Sequence, residues 1–142
     1  MATKLKWSGL VLIIPLAALL SACGSLGGPK IVGPAFTGDE IKKLIVGNTL
    51  QGPAGTEMYD WYYQGDGAIT GVVGPSNDDS GTWSVKGNTF CQEWDQYFDG
   101  VRHCYEFYKL ERSGQYIMKN VDADRSGNIE IWEVIQGNPY NM

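Results

Sequence analysis

The chain reads as mainly β, a small antiparallel barrel or sandwich with one short N-terminal helix. Three observations predict this. After Asn48, short runs rich in Val, Ile, Thr and aromatic side chains alternate with clusters of Gly, Asn, Asp and Pro, the pattern of strands and turns. Aromatic residues make up 12% of the chain, and large rings fill the inside of a small barrel well. One short segment, after Thr37, reads as a helix, and no period of roughly 20 to 50 residues repeats, which excludes a solenoid.

The elements follow in order. Residues 1–22 have Lys4 and Lys6 near the start, an apolar run from Leu10 to Leu20, and small residues after it, the three-part layout of an export signal. The run is too short, at ~1.5 Å per residue, to cross a ~30 Å hydrocarbon layer as a permanent helix. Residues 23–35 are rich in Gly and Pro and read as a flexible tether. The domain proper is then 36–142. Thr37 with Glu40 three residues on forms a capping-box pattern, Asp39 adds negative charge to the first turn, and Ile41, Leu44 and Ile45 make one apolar stripe. Gly47-Asn48 stops that helix.

Glu57 to Gln64 is an aromatic strand running into Gly65-Asp66-Gly67, a hairpin signal that leads to a strand over Ala68 to Val73. Gly74 to Gly81 reads as a polar loop, with Asp78-Asp79 solvated in it. Strands are expected over 82–86, 89–95, 101–110, 115–121 and 128–136, and Gly137-Asn138-Pro139 ends the last one. Such spacing suggests a lipocalin-like meander. Trp61-Tyr62-Tyr63 is consecutive, so at least one of these rings faces outward.

Leu20-Ser21-Ala22-Cys23 resembles the lipobox of bacterial lipoproteins. The resemblance implies that the Cys23 thiol receives diacylglycerol and becomes the mature N-terminus. Several acyl chains, each about 0.8 kcal/mol per buried methylene, anchor a protein stably. Gly24-Ser25 follows where an Asp would favour inner-membrane retention, so the resemblance points to the outer membrane. The order of short helix, aromatic strands, Trp83 strand, cysteine hairpin and terminal Gly-Asn-Pro is similar to that of small envelope proteins of proteobacteria, a likeness that implies no activity.

Charge and cysteine content agree with export. The whole chain carries −5, and loss of Lys4 and Lys6 with the signal leaves −7. An acidic surface without a basic cluster excludes nucleic acid as a partner, and leaves the lipid alone to hold the membrane. Cys91 and Cys104 remain as an even pair flanking Gln96 to Gly100, which reads as a hairpin loop. A structural disulfide across that hairpin is expected. His103 and Cys104 are adjacent and point to opposite faces of a strand, which argues against a shared metal.

Asp122-Ala-Asp124-Arg-Ser126-Gly127-Asn128-Ile129-Glu130-Ile-Trp-Glu133 resembles the twelve-residue calcium loop of the EF-hand family. The resemblance implies oxygens from Asp122, Asp124 and Ser126, the Asn128 carbonyl, Glu130 through water, and a bidentate Glu133 around Ca2+. Against it, the exit segment stops after four residues at Gly137-Asn138-Pro139, and no second loop is present to pair with. The plainer reading is a hairpin turn built from turn-forming residues. Ser113-Gly114-Gln115-Tyr116 is similar to the Ser-Gly…Tyr loop of periplasmic lysozyme inhibitors, one residue short in spacing.

Enzyme signals are absent. His103 is the sole histidine, Ser113 and Ser126 fall in turns without a base, and no phosphate-binding or zinc spacing occurs. The expectation is therefore a lipid-anchored, non-enzymatic envelope lipoprotein of the outer membrane with a binding or structural role. Its partner would be an envelope protein or a glycan. The alternatives are a calcium-binding module and a lysozyme-inhibitor-like protein.

Overall fold

The structure, a computed structural model, describes residues 28–142 except Gly55, Ser76, Ser113, Arg125 and Ser126, and leaves the Ala54 side chain undescribed. The expected signal and Cys23 lie outside the described residues, as does Ser126 of the calcium-like loop.

Strand β1 is Ile31–Val32, helix α1 Gly38–Ile45, β2 Asn48–Ala54, β3 Glu57–Tyr63, β4 Ala68–Val73 and β5 Asn77–Lys86. Then come β6 Thr89–Trp94, a short 3-10 turn Tyr97–Gly100, β7 His103–Leu110, β8 Gln115–Asn120 and β9 Ile129–Gln136. From β2 to β9 each strand pairs antiparallel with the next, and β9 returns to pair with β2 through Asn48↔Gln136 and Leu50↔Val134. The sheet is thus a closed up-and-down barrel, not a sandwich, and closure removes the exposed edges an open sheet would have.

Two expectations need correction. The run Gly74 to Gly81 is not all loop, because β5 begins at Asn77 and pairs with β4 as far as Val73↔Asn77. Asp79 faces inward there and is buried, so Asp78-Asp79 is not a solvated pair. The segment read as tether also joins the barrel in part. Ile31 pairs with Leu110, Val32 with Lys109, and the Lys30 ammonium lies 3.0 Å from Glu111.

Helix α1 forms as its sequence dictates. The Thr37 hydroxyl accepts from the Glu40 backbone N–H while the Glu40 carboxylate accepts from the Thr37 N–H at 2.7 Å. The backbone donation, with a second from the Thr37 hydroxyl to the same carboxylate at 2.8 Å, holds the Glu40 carboxyl below its ordinary value. Ile41 and Ile45 are fully buried in the main core, and the Gly38 N–H donates to Asn88 in the β5–β6 turn at 3.1 Å. Gly47, at φ 74, turns the chain so that its N–H meets the Tyr63 carbonyl at 2.8 Å. The helix therefore closes one end of the barrel.

Rings occupy the interior. Trp61, Tyr63, Phe90, Trp94, Tyr105, Phe107 and Trp132 are buried in one cluster with Leu50, Ile69 and Met118. Trp61 sits at the centre, its ring centroid 4.4 Å from Trp132 and 5.0 Å from Trp94. Glycines make room for the indoles. A Cβ at Gly71 would lie 2.6 Å from Trp94 and 2.7 Å from Trp61, and one at Gly52 would lie 2.7 Å from Trp132. Small and large residues thus alternate across an interior that eight strands leave just wide enough to fill. Tyr62 is the outward member of its aromatic triplet, half-buried between buried Trp61 and Tyr63.

The expected disulfide is present. Cys91 and Cys104 are direct cross-strand partners on β6 and β7, bonded with Cα atoms 4.1 Å apart.

Candidate functional site at the barrel end opposite the helix

The barrel has two ends. One carries α1 and the β3–β4, β5–β6 and β7–β8 connections; the other carries the β2–β3, β4–β5, β6–β7 and β8–β9 connections. Chemistry concentrates at the second end.

The segment Tyr97–Gly100 folds over that end as a stopper. Phe98 and Asp99 both take left-handed backbone conformations, at φ 56 and φ 58. Non-glycine residues reach this region only when their surroundings hold them there, and a bulky ring reaches it least readily. The Phe98 ring meets Trp61 and His103 edge-on, with centroids 6.0 and 5.5 Å away. Tyr97 packs on Trp94 and Tyr59. Buried Asp79 pins the segment, its carboxylate accepting the N–H of Tyr97 at 2.7 Å, Gln96 at 3.0 Å and Ser80 at 2.9 Å. Three donors offset much of the cost of burying that charge. The Tyr97 hydroxyl donates to the Asn77 carbonyl. Burial first, then the Asp79 and Asp78 carboxylates, push its phenol up to about 12.

Beneath the stopper lies a layer of polar side chains. His103 is 3% exposed, and its Nδ1 stands 3.1 Å from an Asp122 carboxylate oxygen that also accepts the Cys104 N–H at 3.1 Å. Asp122 thereby fixes the ring's orientation. Gln92, the cross-strand neighbour of His103, accepts from the Tyr63 hydroxyl at 3.0 Å. Glu130 is half-buried and accepts from the Trp132 indole at 3.3 Å, and burial raises its carboxyl above the ordinary range. Burial, followed by the negative charge of Glu130, raises the Tyr105 phenol strongly, and burial raises Tyr63 well above its usual value. Trp61 Nε1, Trp94 Nε1, Gln92 Nε2 and His103 Nε2 are buried without a hydrogen-bond partner among the described residues. The Asp122–His103 pair has the form of an acid–base dyad, yet the Phe98 ring covers His103.

The calcium-like loop is distributed, not gathered. The Asp122 carboxylate turns to His103 and Cys104, and the Asp122 N–H donates to Asn120 Oδ1 at 2.8 Å. The Asn128 carbonyl is taken by the Asn120 N–H at 2.9 Å. Strand parity then separates the two glutamates. Glu130 lies on the inward face with Trp132, whereas Glu133 is exposed and accepts from Gln115 at 2.8 Å. Asp124 lies exposed in the turn. Among the described residues no three His, Cys, Asp or Glu side chains converge as a metal site.

Of the inhibitor-like run, Gly114 precedes β8 and Gln115-Tyr116 begins it at the helix end, with Tyr116 paired to Lys109 and the Gln115 N–H on the Arg112 carbonyl. Tyr116 meets Phe36 edge-on. On the outer wall, the C-terminal residues fold back so that Tyr140 meets Gln51 at 3.3 Å, beside a cavity of about 560 Å³ lined by Asp60, Thr70, Asp78 and Met142. Compared with known proteins, the chain matches no family profile, no curated relative and no solved structure.

Sequence reasoning missed the Asp79 anchor, the Phe98 stopper and the Asp122–His103 pair. The run Asn77 to Ser80 is polar at every position, so its alternation carries no apolar signal, and the inward Asp79 stayed hidden. His103 was legible only as the neighbour of Cys104 on the opposite face of a strand, and its partner comes from a turn 19 residues away.

Proposed function

We propose that this chain is a lipid-anchored, non-enzymatic lipoprotein of the bacterial outer membrane whose barrel is a binding module acting through its surface. The observation that carries the binding part is the filled interior. Where a lumen-carrying barrel keeps a cavity, this one places Trp61, Trp94 and Trp132 against one another and stops the end with Phe98. Recognition is therefore assigned to the outer wall and the rims. The Cys91–Cys104 bond supports an oxidising compartment, and Leu20-Ser21-Ala22-Cys23 supports the anchor.

The anchor is tested by fractionating cells that make the full chain or its Cys23→Ser variant. The native chain should sediment with outer-membrane vesicles and require detergent for release. The variant should appear in the soluble periplasmic fraction or remain as unprocessed precursor. A native chain released by salt alone would overturn the proposal.

A further inference from the structure

The two ends of the barrel differ in charge. At the helix end stand, among the described residues, six cations, Lys30, Lys42, Lys43, Lys86, Lys109 and Arg112, against five acids, Asp39, Glu40, Asp66, Glu111 and Glu133, the last bonded to Gln115. At the opposite end Glu57, Asp78, Asp95, Asp99 and Asp124 are exposed, and the cations there, among the described residues, are Arg102 and Lys119. Arg125 lies outside the described residues.

Exposed apolar side chains stand at that acidic end too, as Ile31, Val32 and Val46 do toward the helix end. Val101, Val121, Ile129 and Met58 are 36 to 52% exposed, and they stand at the ends of β7, β8, β9 and β3, with β2 between the last two. They form an arc around the rim. Val121 and Ile129 flank the same place, because Lys119 pairs with Ile129 and Val121 follows two residues on. Met58 pairs with Pro53, which is also exposed.

We infer that this acidic rim, with its apolar arc, is the docking surface for a basic folded protein of the envelope. The inference rests on the binding role and anchor proposed above. Charge decides among the occupants. A second copy meeting rim to rim would set acid against acid, which costs affinity, and one in the same membrane has its basic helix end turned to the headgroups; anionic headgroups would be repelled by the rim for the same reason. A glycan stacks on exposed rings, whereas the apolar groups here are aliphatic. A basic partner with apolar side chains fits both features, its charges steering the encounter and its apolar contacts holding it.

The anchor geometry presents this surface outward. The described chain begins at Gly28, beside Leu110 and Gln115 near the helix end. Between Cys23 and Gly28 the backbone spans at most ~18 Å at ~3.5 Å per residue. The basic end therefore faces the headgroups, where its lysines add to the hold expected of the lipid alone, and the acidic rim faces away.

The test places photoreactive benzoylphenylalanine at Ile129, or at Asp66 on the helix end as control, in the full chain in living cells. Illumination should give one main adduct from position 129 with a protein of basic isoelectric point, and little from position 66. Neutralising the rim as Glu57→Gln, Asp95→Asn and Asp99→Asn keeps side-chain shape, and Asn tolerates the left-handed backbone at 99. That variant, with unchanged melting temperature, should lose the adduct about tenfold, as should the native chain in half-molar salt. An adduct with itself, with lipid or with an acidic protein overturns the inference, as does no adduct or one insensitive to the three neutralisations. Fractionation of the same cells reports the anchor separately, so failure of docking and failure of anchoring are read apart.

Discussion

Gly71→Ala adds one methyl to the most tightly occupied part of the barrel. An ideal Cβ there would lie 2.6 Å from Trp94 Cη2, 2.7 Å from Trp61 Cδ1 and 2.9 Å from Trp94 Cζ3. Contacts that close do not persist, so a ring or the β4 backbone must move. Neither ring has room. Trp61 is fully buried and held between Trp132 and Trp94, and Trp94 is 2% exposed beneath Tyr97. Overpacking of this kind costs typically about 1–3 kcal/mol. The loss of glycine's unfolded-state freedom returns roughly 0.5–1 kcal/mol, leaving a net loss of about 1–2 kcal/mol. For a domain of this size that lowers the melting temperature by roughly 4–10 °C. Gly65→Ala is the control, since its Cβ would meet only Val46 at 3.5 Å, and it should be neutral or slightly stabilising. Urea titration followed by tryptophan fluorescence gives both values. If Gly71→Ala is as stable as Gly65→Ala, the interior has space the packing argument denies.

Three further outcomes are expected. Replacing both Cys91 and Cys104 by Ala removes a bond that closes a loop of 13 residues' separation, which should cost about 3 kcal/mol on the chain-entropy model; an unchanged denaturation midpoint would refute this. Tyr63, Tyr97 and Tyr105 have raised phenol values, Tyr97 to about 12, so the stability they carry is complete below the unfolded value near pH 10 and is lost as pH climbs through their folded values. Absorbance at 295 nm should accordingly show fewer than the 8 tyrosines ionised at about pH 11 while circular dichroism stays native; all of them titrating together near pH 10 in the folded protein would contradict the burial. Millimolar calcium should leave the melting temperature within about 1 °C, because a ligand stabilises only by what it binds; a rise of several degrees, abolished by Glu133→Gln, would restore the EF-hand reading.

Local features of the fold were legible because local chemistry decides them. The Thr37–Glu40 capping box, the Gly47 stop and the cysteine hairpin each follow from residues within a turn or one hairpin. Closure into a barrel was not legible beyond the choice between barrel and sandwich, since it rests on β2 meeting β9, far apart in sequence. The first half of β5 was lost because Asn77 to Ser80 has the composition of a loop. Its inward Asp79 is satisfied by backbone N–H groups from the 95–97 segment, a non-local fact. The calcium-like motif shows the converse. Asp, Ser and Gly suit both a metal loop and a turn, and only the parity of β9, with Glu130 in and Glu133 out, separates them. Phe98 in a left-handed conformation has no sequence signal at all.

Native mass spectrometry of the full-length product, extracted from envelopes in mild detergent, tests the central claim most directly. The account predicts a chain beginning at Cys23, two hydrogens light for the Cys91–Cys104 bond, heavier by a lipid modification on Cys23, and carrying no stoichiometric small molecule in the barrel. An unmodified Cys23, or a small molecule that co-purifies one to one and leaves only on unfolding, would contradict it.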